Sequence, residues 1–513
     1  MSSGENSRPS RVASALARSR LGTGAVVAVV VSAAAPLTVV AGSATTGFAV
    51  TDSVGVPAAY LMVAAVLGVF AVGYVAMARH VTNAGAFYSY IARGLGRPAG
   101  VAAAFVALTA YALLQASIFG LFGVATATAL AGLAGVSVSW WVCALGGGVL
   151  VAVLGVRPVD VSGRLLAILL IAEVAVVVVF DAVLVGHPGV WPPSITPLDP
   201  TQLFTVAGGA LLVGGIAGSA GFEASTVFAE EARDPRRTVP RATYIAVAVT
   251  GILYGLSAWA MTVATGVSGI VPAARQHEED LFFALAAQHL PAVVVDVGRL
   301  LLLTSVFAAL LAFHNTVARY VFALGRERVL FAFFGRTGRR TAAPVRGSAV
   351  QSGVALVVIV VFAAAGWDPI RHLYFWTGIG GGLGLLILMT AVSVAVVAFF
   401  ARDRHGEPFY RTTLAPMVAG LVLAVILAAT IAGLPALLQV DPGSPVRWAF
   451  PLGYAAVAVT GLGWAVVLKV WRPDVYATVG LGAHALLAGT AHPPVQAGVS
   501  ELVEPARVEE ARR

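Results

Sequence analysis

Apolar residues run through this chain in blocks too long and too uniform to be the one-sided stripes of surface helices. Twelve blocks lie at about 22–50, 57–77, 99–132, 137–156, 165–185, 204–229, 241–267, 291–323, 347–366, 373–400, 413–435 and 448–471. Each offers roughly the 20 mostly apolar residues that a helix needs to cross a bilayer. The pattern therefore predicts an all-α polytopic membrane protein with twelve transmembrane helices. The first block follows Arg8, Arg11, Arg18 and Arg20, as in a signal peptide, yet its roughly 30 apolar residues exceed the about 7 to 15 of a leader. It is read as an uncleaved first span. Residues 1–20 and 473–513 are read as mobile cytoplasmic tails flanking one twelve-helix domain, 21–472. The weakly apolar run from Val479 to Gly489 is too short to span.

Composition agrees. With 59% hydrophobic and 11% charged residues, and a mean hydropathy of +0.89, the chain is unlike an ordinary soluble domain. Cys143 stands alone, so no internal disulfide can form. A formal charge of +8 would suit nucleic acid, but 28 of the 32 Lys and Arg fall in the two tails and in alternate connections. Only Arg275, Arg371 and Arg447 lie in the other connections, and Arg299 is inside the eighth block. Such segregation is the positive-inside signature and predicts both termini in the cytoplasm. The charge is thus explained by the lipid bilayer, with no nucleic-acid partner. The chain has no Walker A run, no HExxH and no paired CxxC, so neither an enzyme, a cofactor, a metal site nor an ATPase subunit is expected.

Two blocks break the helix rule. SAAAPLTVVAGSATTG in the first puts Pro36 mid-membrane, where it removes a backbone donor. GGALLVGGIAGSAGFE in the sixth gathers Gly214, Gly215, Gly218 and Gly221 around Ser219. Small residues alone can signify close helix packing. Breaks at the first helix of each of two five-helix halves point instead to a midplane site. There, freed amides bind a carboxylate and freed carbonyls bind an ammonium group or a cation, which suits a zwitterion.

Three segments carry a family resemblance: ARHVTNAGAFYSYIARGLGRPAG at 78–100, GFEASTVFAEEARDPRRTVPRA at 221–242 and FHNTVARYVFALGRERVLF at 313–331. They resemble the amino acid-polyamine-organocation (APC) permeases. The resemblance implies a LeuT-type fold, with 22–185 and 204–400 as inverted five-helix repeats and 413–471 as two peripheral helices. It also implies a secondary active transporter of amino acids or related amines in the plasma membrane, working by alternating access. Proton-coupled symport is the expectation; substrate/product antiport and sodium coupling are the alternatives, and a sensor or channel is a more distant one. The expected binding segments are Ala35, Pro36, Leu37 and Thr38, and Gly218, Ser219, Ala220 and Gly221. The chain departs from the family where many members have a Gly-Ser-Gly type break, here Pro36-Leu37-Thr38. It also lacks an aromatic gate between Ile216 and Ala220.

Glu173 lies mid-way along the fifth block, where an acid costs roughly 2.5 to 3.5 kcal/mol. It is the candidate proton-coupling group, with a structural hydrogen bond or a sodium contact as alternatives. Thr304 and Ser305 resemble the hydroxyl pair that binds sodium in several LeuT-fold carriers, although hydroxyls also bond back to helix carbonyls. Glu223 is a gating candidate. Gln115 and Tyr374 are candidate cavity residues, with Ser117, Tyr111 and Trp376 as weaker ones. Glu230, Glu231, Asp234, Arg236 and Arg237 read as solvated surface charges, with inner-gate pairing as the alternative. His314 and Asn315 read as helix-end or inner-gate groups, and Asp296 and Arg299 as an i, i+3 pair.

Overall fold

The computed structural model describes residues 21–81, 85–157, 159–205, 208–338 and 343–482. Among them the chain is helical, with no strand beyond an isolated parallel bridge between Leu21 and Ala232. The first span is α1 (Thr23–Ala33), α2 (Pro36–Thr38) and α3 (Thr45–Thr51), with a π-turn over Val39–Ala44 between the last two. Then come α4 (Val56–Ala78), the short amphipathic α5 (Phe87–Leu95), α6 (Arg97–Ala134), α7 (Trp140–Gly155) and α8 (Val159–Gly186). The second half holds α9 (Gly208–Gly218), α10 (Ala224–Val227), α11 (Pro235–Thr265), α12 (Ile270–His277), α13 (Leu281–Ala286), α14 (Ala292–Arg326), α15 (Val345–Ala364) and α16 (Thr377–Arg402). The chain closes with α17 (Ala415–Leu437), α18 (Ala449–Trp471) and α19 (Pro473–Thr478).

Prolines begin several of these helices, in the first or second position of α4, α6, α11 and α17. There the missing N–H has no partner to lose and the fixed φ suits the helix. The helices then bury themselves on one another: α4 packs on α11, α6 on α16 and α18, and α1 on α8, α11 and α14. Large apolar side chains nevertheless cover the outside, including Ile168 and Ile171 on α8, Leu421 on α17 and Val459 on α18, all about two-thirds exposed or more. An apolar belt of this size is stable only against lipid.

Among the described residues, ten helical stretches are long and apolar enough to cross a membrane, where the periodicity predicted twelve. The fourth predicted span is the 16-residue α7. The sixth, expected over 204–229, holds only the 11-residue α9 before the helix breaks. Part of the segment read as a mobile tail lies against the bundle. Residues 473–482 are docked, because the buried Glu327 carboxylate accepts the Gly480 and Gly482 amides at 2.8 and 2.7 Å, and Val475 and Val479 are buried. Residues 1–20 and 483–513 lie outside the described residues.

Candidate functional site

The first break follows from AAAP. A residue before proline is pushed out of the helical region, and Ala35 sits at φ 42°, left-handed, with Pro36 starting the next helical piece. One carbonyl freed by the break finds a donor, Ala34 accepting the Tyr254 hydroxyl at 2.6 Å, while Ala35 accepts the Val39 amide at 3.1 Å as the first bond of the next helical piece. The second break follows from glycine. Gly221 adopts φ 117°, which L side chains rarely reach. Its amide donates to Glu223 Oε2 at 3.0 Å, while the Tyr111 hydroxyl donates to Oε1 at 2.8 Å. Glu223 thus caps the broken turn and ties it to α6. The two breaks abut, Gly221 lying against Ala33 and Ala34.

Beside them is a cavity of about 130 Å³. Ala35, Thr38, Gly218 and Ala220 are in its wall, and it reaches along Thr46, Val50 and Leu437, away from the arginine-rich end of the bundle. Among the described residues no charged side chain lines it. Its polar groups are hydroxyls: Thr38, Ser43, Ser117, Tyr60 and Tyr374 among them. Tyr374 closes one side, its hydroxyl 3.1 Å from Ser43 Oγ and its carbonyl accepting the Ser117 hydroxyl at 2.6 Å. The aromatic surface that α9 lacks is supplied by Tyr60, Phe313, Tyr374 and Phe375 from other helices.

Behind the first break lies a buried polar knot. The amide and hydroxyl of Thr38 both donate to Ser305 Oγ, at 3.3 and 3.0 Å. With both lone pairs engaged, the Ser305 proton is available to another acceptor. The Glu173 carboxyl is the group it faces, together with the Leu37 amide. Glu173 is 1% exposed, and its Oε2 has no hydrogen-bond partner. The Leu37 and Thr38 amides, expected to face a bound solute, are therefore turned toward the chain's own carboxyl and hydroxyl.

The other candidates are distributed around this core. Gln115 is not in the cavity wall; it pairs with Gln351 of α15, and Ser117, two residues on, takes the lining position. Thr304 stands apart from the Ser305 knot, its hydroxyl returned to the Leu301 carbonyl at 2.9 Å. Trp376 bonds the Leu438 carbonyl at 3.1 Å and is not in the wall. Pro36, Leu37, Ser219 and Gly221 shape the breaks without lining the cavity. Glu231 is not solvated. Its carboxylate accepts Arg319 Nε at 2.7 Å and Nη2 at 3.3 Å, both side chains are buried, and the guanidinium lies 4.3 Å above the Phe228 ring. This pair, with the main-chain bridge at Leu21, ties the segments together at the arginine-rich end beneath the breaks. Asn315 contributes its carbonyl to Arg319 at 3.1 Å, and His314 bonds Ser348 at 2.7 Å. Arg299 pairs with Asp296 at 3.2 Å, and Asp280 grips it twice at 2.9 Å.

Three participants escaped the sequence reading: the buried Arg319 and Tyr254, and the half-buried Asp181, whose Oδ2 accepts the Ser257 hydroxyl at 2.6 Å. Asp181 had a signal, a second acid in the fifth block. At the far mouth, the Glu278–Asp280 turn packs on the Val39–Ala44 turn. There burial pushes the Glu279 carboxyl above its ordinary pKa, with Glu278 and Asp368 adding to the rise. Among the described residues there is no cluster of three or more His, Cys, Asp or Glu able to hold a metal ion.

Comparison with known proteins places this geometry. A family described as "Amino acid permease" matches residues 21–462. A methylthioribose transporter of Bacillus subtilis is 25% identical over 265 residues, 51% of this chain and 52% of the relative. An uncharacterized transporter of Mycobacterium tuberculosis is 29% identical over 209 residues, 41% of this chain and 43% of the relative. A branched-chain amino acid permease of Bacillus subtilis is 29% identical over 170 residues, 32% and 34% of the two chains. The chain thus spans about half the length, or less, of these curated relatives. The family match covers most of the sequence and includes both breaks and the cavity between them: the chain belongs to the amino acid permease family of the APC superfamily.

Proposed function

We propose that this permease is a secondary transporter that carries amino acids or related amines across the plasma membrane by alternating access, driven by a proton taken up at Glu173. The observation that carries the reading is the cavity set against two abutting helix breaks, with the bundle tied together at one end by Glu231 and Arg319. A carrier needs a midplane site that opens to one side at a time. The proposed architecture is twelve spans, with α7 and the broken α9–α10 segment completing the ten longer ones, arranged as two inverted five-helix repeats and two peripheral helices. Lys and Arg segregation supports cytoplasmic termini, so the tied end faces the cytoplasm and the cavity faces outward. Glu173 supports proton coupling because one of its oxygens is left without a partner and its carboxyl faces Ser305, whose Oγ accepts from Thr38 in the cavity wall.

A wall of hydroxyls and apolar side chains favours a solute with an apolar side chain. It also supports a second reading: an uncharged solute, since the break's amides are occupied and, among the described residues, no charged side chain meets the cavity. Uptake into proteoliposomes with and without an imposed pH gradient tests the proposal. Saturable accumulation of labelled leucine, isoleucine or valine that follows the gradient is expected. Competition by methylthioribose, with no competition by amino acids, selects the second reading. Non-saturable passive flux refutes both.

A further inference from the structure

A second hollow, of about 520 Å³, opens at the arginine-rich end, far from the cavity and lined by α5, the start of α6, the end of α16 and α19. Arg93, Arg97 and Arg402 stand around it. Among the described residues none of the three forms an ion pair. Arg402 donates to the carbonyls of Arg93 and Gly94 at 2.9 Å each, and Arg97 lies 5.5 Å above the Tyr476 ring. The one acid in the wall, Asp403, is occupied by His405, through Nδ1 at 3.2 Å and the main-chain amide at 2.9 Å. The positive end of the 38-residue α6 dipole adds to the same potential. The floor is different: Phe399, Val479 and Leu481 are apolar. Three exposed cations grouped over an apolar floor give one phosphate group several charge-assisted donors at once.

We propose that this hollow binds a phosphate group, carried on an acidic phospholipid whose headgroup meets the arginines and whose first methylenes rest on Phe399 and Val479. The anion chemistry stands on the wall alone; the lipid source rests on the orientation proposed above, which puts this end at the cytoplasmic leaflet. Basic pockets on that side of membrane proteins are matched to acidic headgroups. Docking of the 473–482 segment completes the wall, so the site exists only when Glu327 holds Gly480 and Gly482.

The test uses the full-length protein in detergent, titrated with phosphatidylglycerol, with phosphatidylcholine of the same chains and with inorganic phosphate. Native mass spectrometry and the thermal midpoint are the readouts, and neither depends on transport. Phosphatidylglycerol is expected to bind in preference to phosphatidylcholine. R93A/R97A is expected to weaken it by about 5-fold per arginine removed, while R97K retains binding and R447A, at the opposite end, changes nothing. Should the double variant fail to fold, R97Q gives the same comparison. Inorganic phosphate that protects equally and displaces the lipid assigns a soluble phosphate source and keeps the anion site. Equal binding of the two lipids with no phosphate effect overturns the proposal, as does undiminished phosphatidylglycerol binding by the folded variant.

Discussion

Gly221 and Ala33 meet so closely that a Cβ on Gly221 would stand 2.7 Å from that of Ala33. The two helix interruptions are therefore one structural unit: the second break leaves room for the first only because it is made of glycine at φ 117°. Gly221→Ala is expected to destabilise by more than about 1 kcal/mol from backbone strain alone, with the clash added. Transport is expected to fall to background even where the variant inserts and purifies, as measured by uptake per mole of reconstituted protein.

Glu173→Gln keeps the shape of the knot behind the first break and removes its titration. Uptake driven by an imposed pH gradient is expected to disappear, while exchange of labelled for unlabelled substrate across the same vesicles continues. An unchanged response to the gradient would eliminate Glu173 as the coupling group.

Removing one member of a buried ion pair strands the other in a low dielectric, at about 3–5 kcal/mol. Arg319→Ala is expected to lower the thermal midpoint in detergent and to open the arginine-rich end. A cysteine introduced at Thr38 then reacts faster with a reagent applied from that side. The double change with Glu231→Gln is expected to recover much of the stability but not the seal.

Tyr374 and Gln115 are both polar and both buried, yet only Tyr374 is in the cavity wall. Tyr374→Phe loses the Ser43 contact, and a net hydrogen bond of about 0.5–1.5 kcal/mol predicts a KM raised by roughly 2- to 10-fold. Gln115→Leu is expected to leave KM alone and to lower stability by about 1–3 kcal/mol, because it orphans the Gln351 amide.

Glu279 gives a pH prediction. A carboxyl whose pKa is raised on folding favours the folded state at low pH, and that advantage is lost as pH rises through its folded value. Glu279→Gln is therefore expected to raise the thermal midpoint at pH 7 and to make little difference at about pH 3, below the ordinary carboxyl range.

Much of this was legible in the sequence because the bilayer imposes strong local rules. Pro36 and Gly221 announce the breaks by what their own backbones can do, and Glu173 announces itself by its cost. The misread residues depend on partners far along the chain. Gln115 looked like a lining residue until Gln351, 236 positions away, supplied its bond. Glu231 sits in the charged run EEARDPRR and looked solvated, but the loop tucks under the bundle to meet Arg319, 88 positions on. The docked tail turns on Gly480 and Gly482 having positive φ, which presents their amides to Glu327. No periodicity reports that geometry.

The Leu21 bridge carries a mechanical consequence. The Leu21 amide donates to the Glu231 carbonyl at 3.1 Å, and the Arg233 amide donates to the Leu21 carbonyl at 2.9 Å. The residue leading into α1 is thereby stitched to the very stretch that bears the Arg319 lock, so α1 is no freely pivoting lever. Tilting it outward must break two main-chain hydrogen bonds to the stretch that carries Glu231. In a carrier of the proposed kind, release through this face then becomes a switch with a threshold, with no stable half-open state.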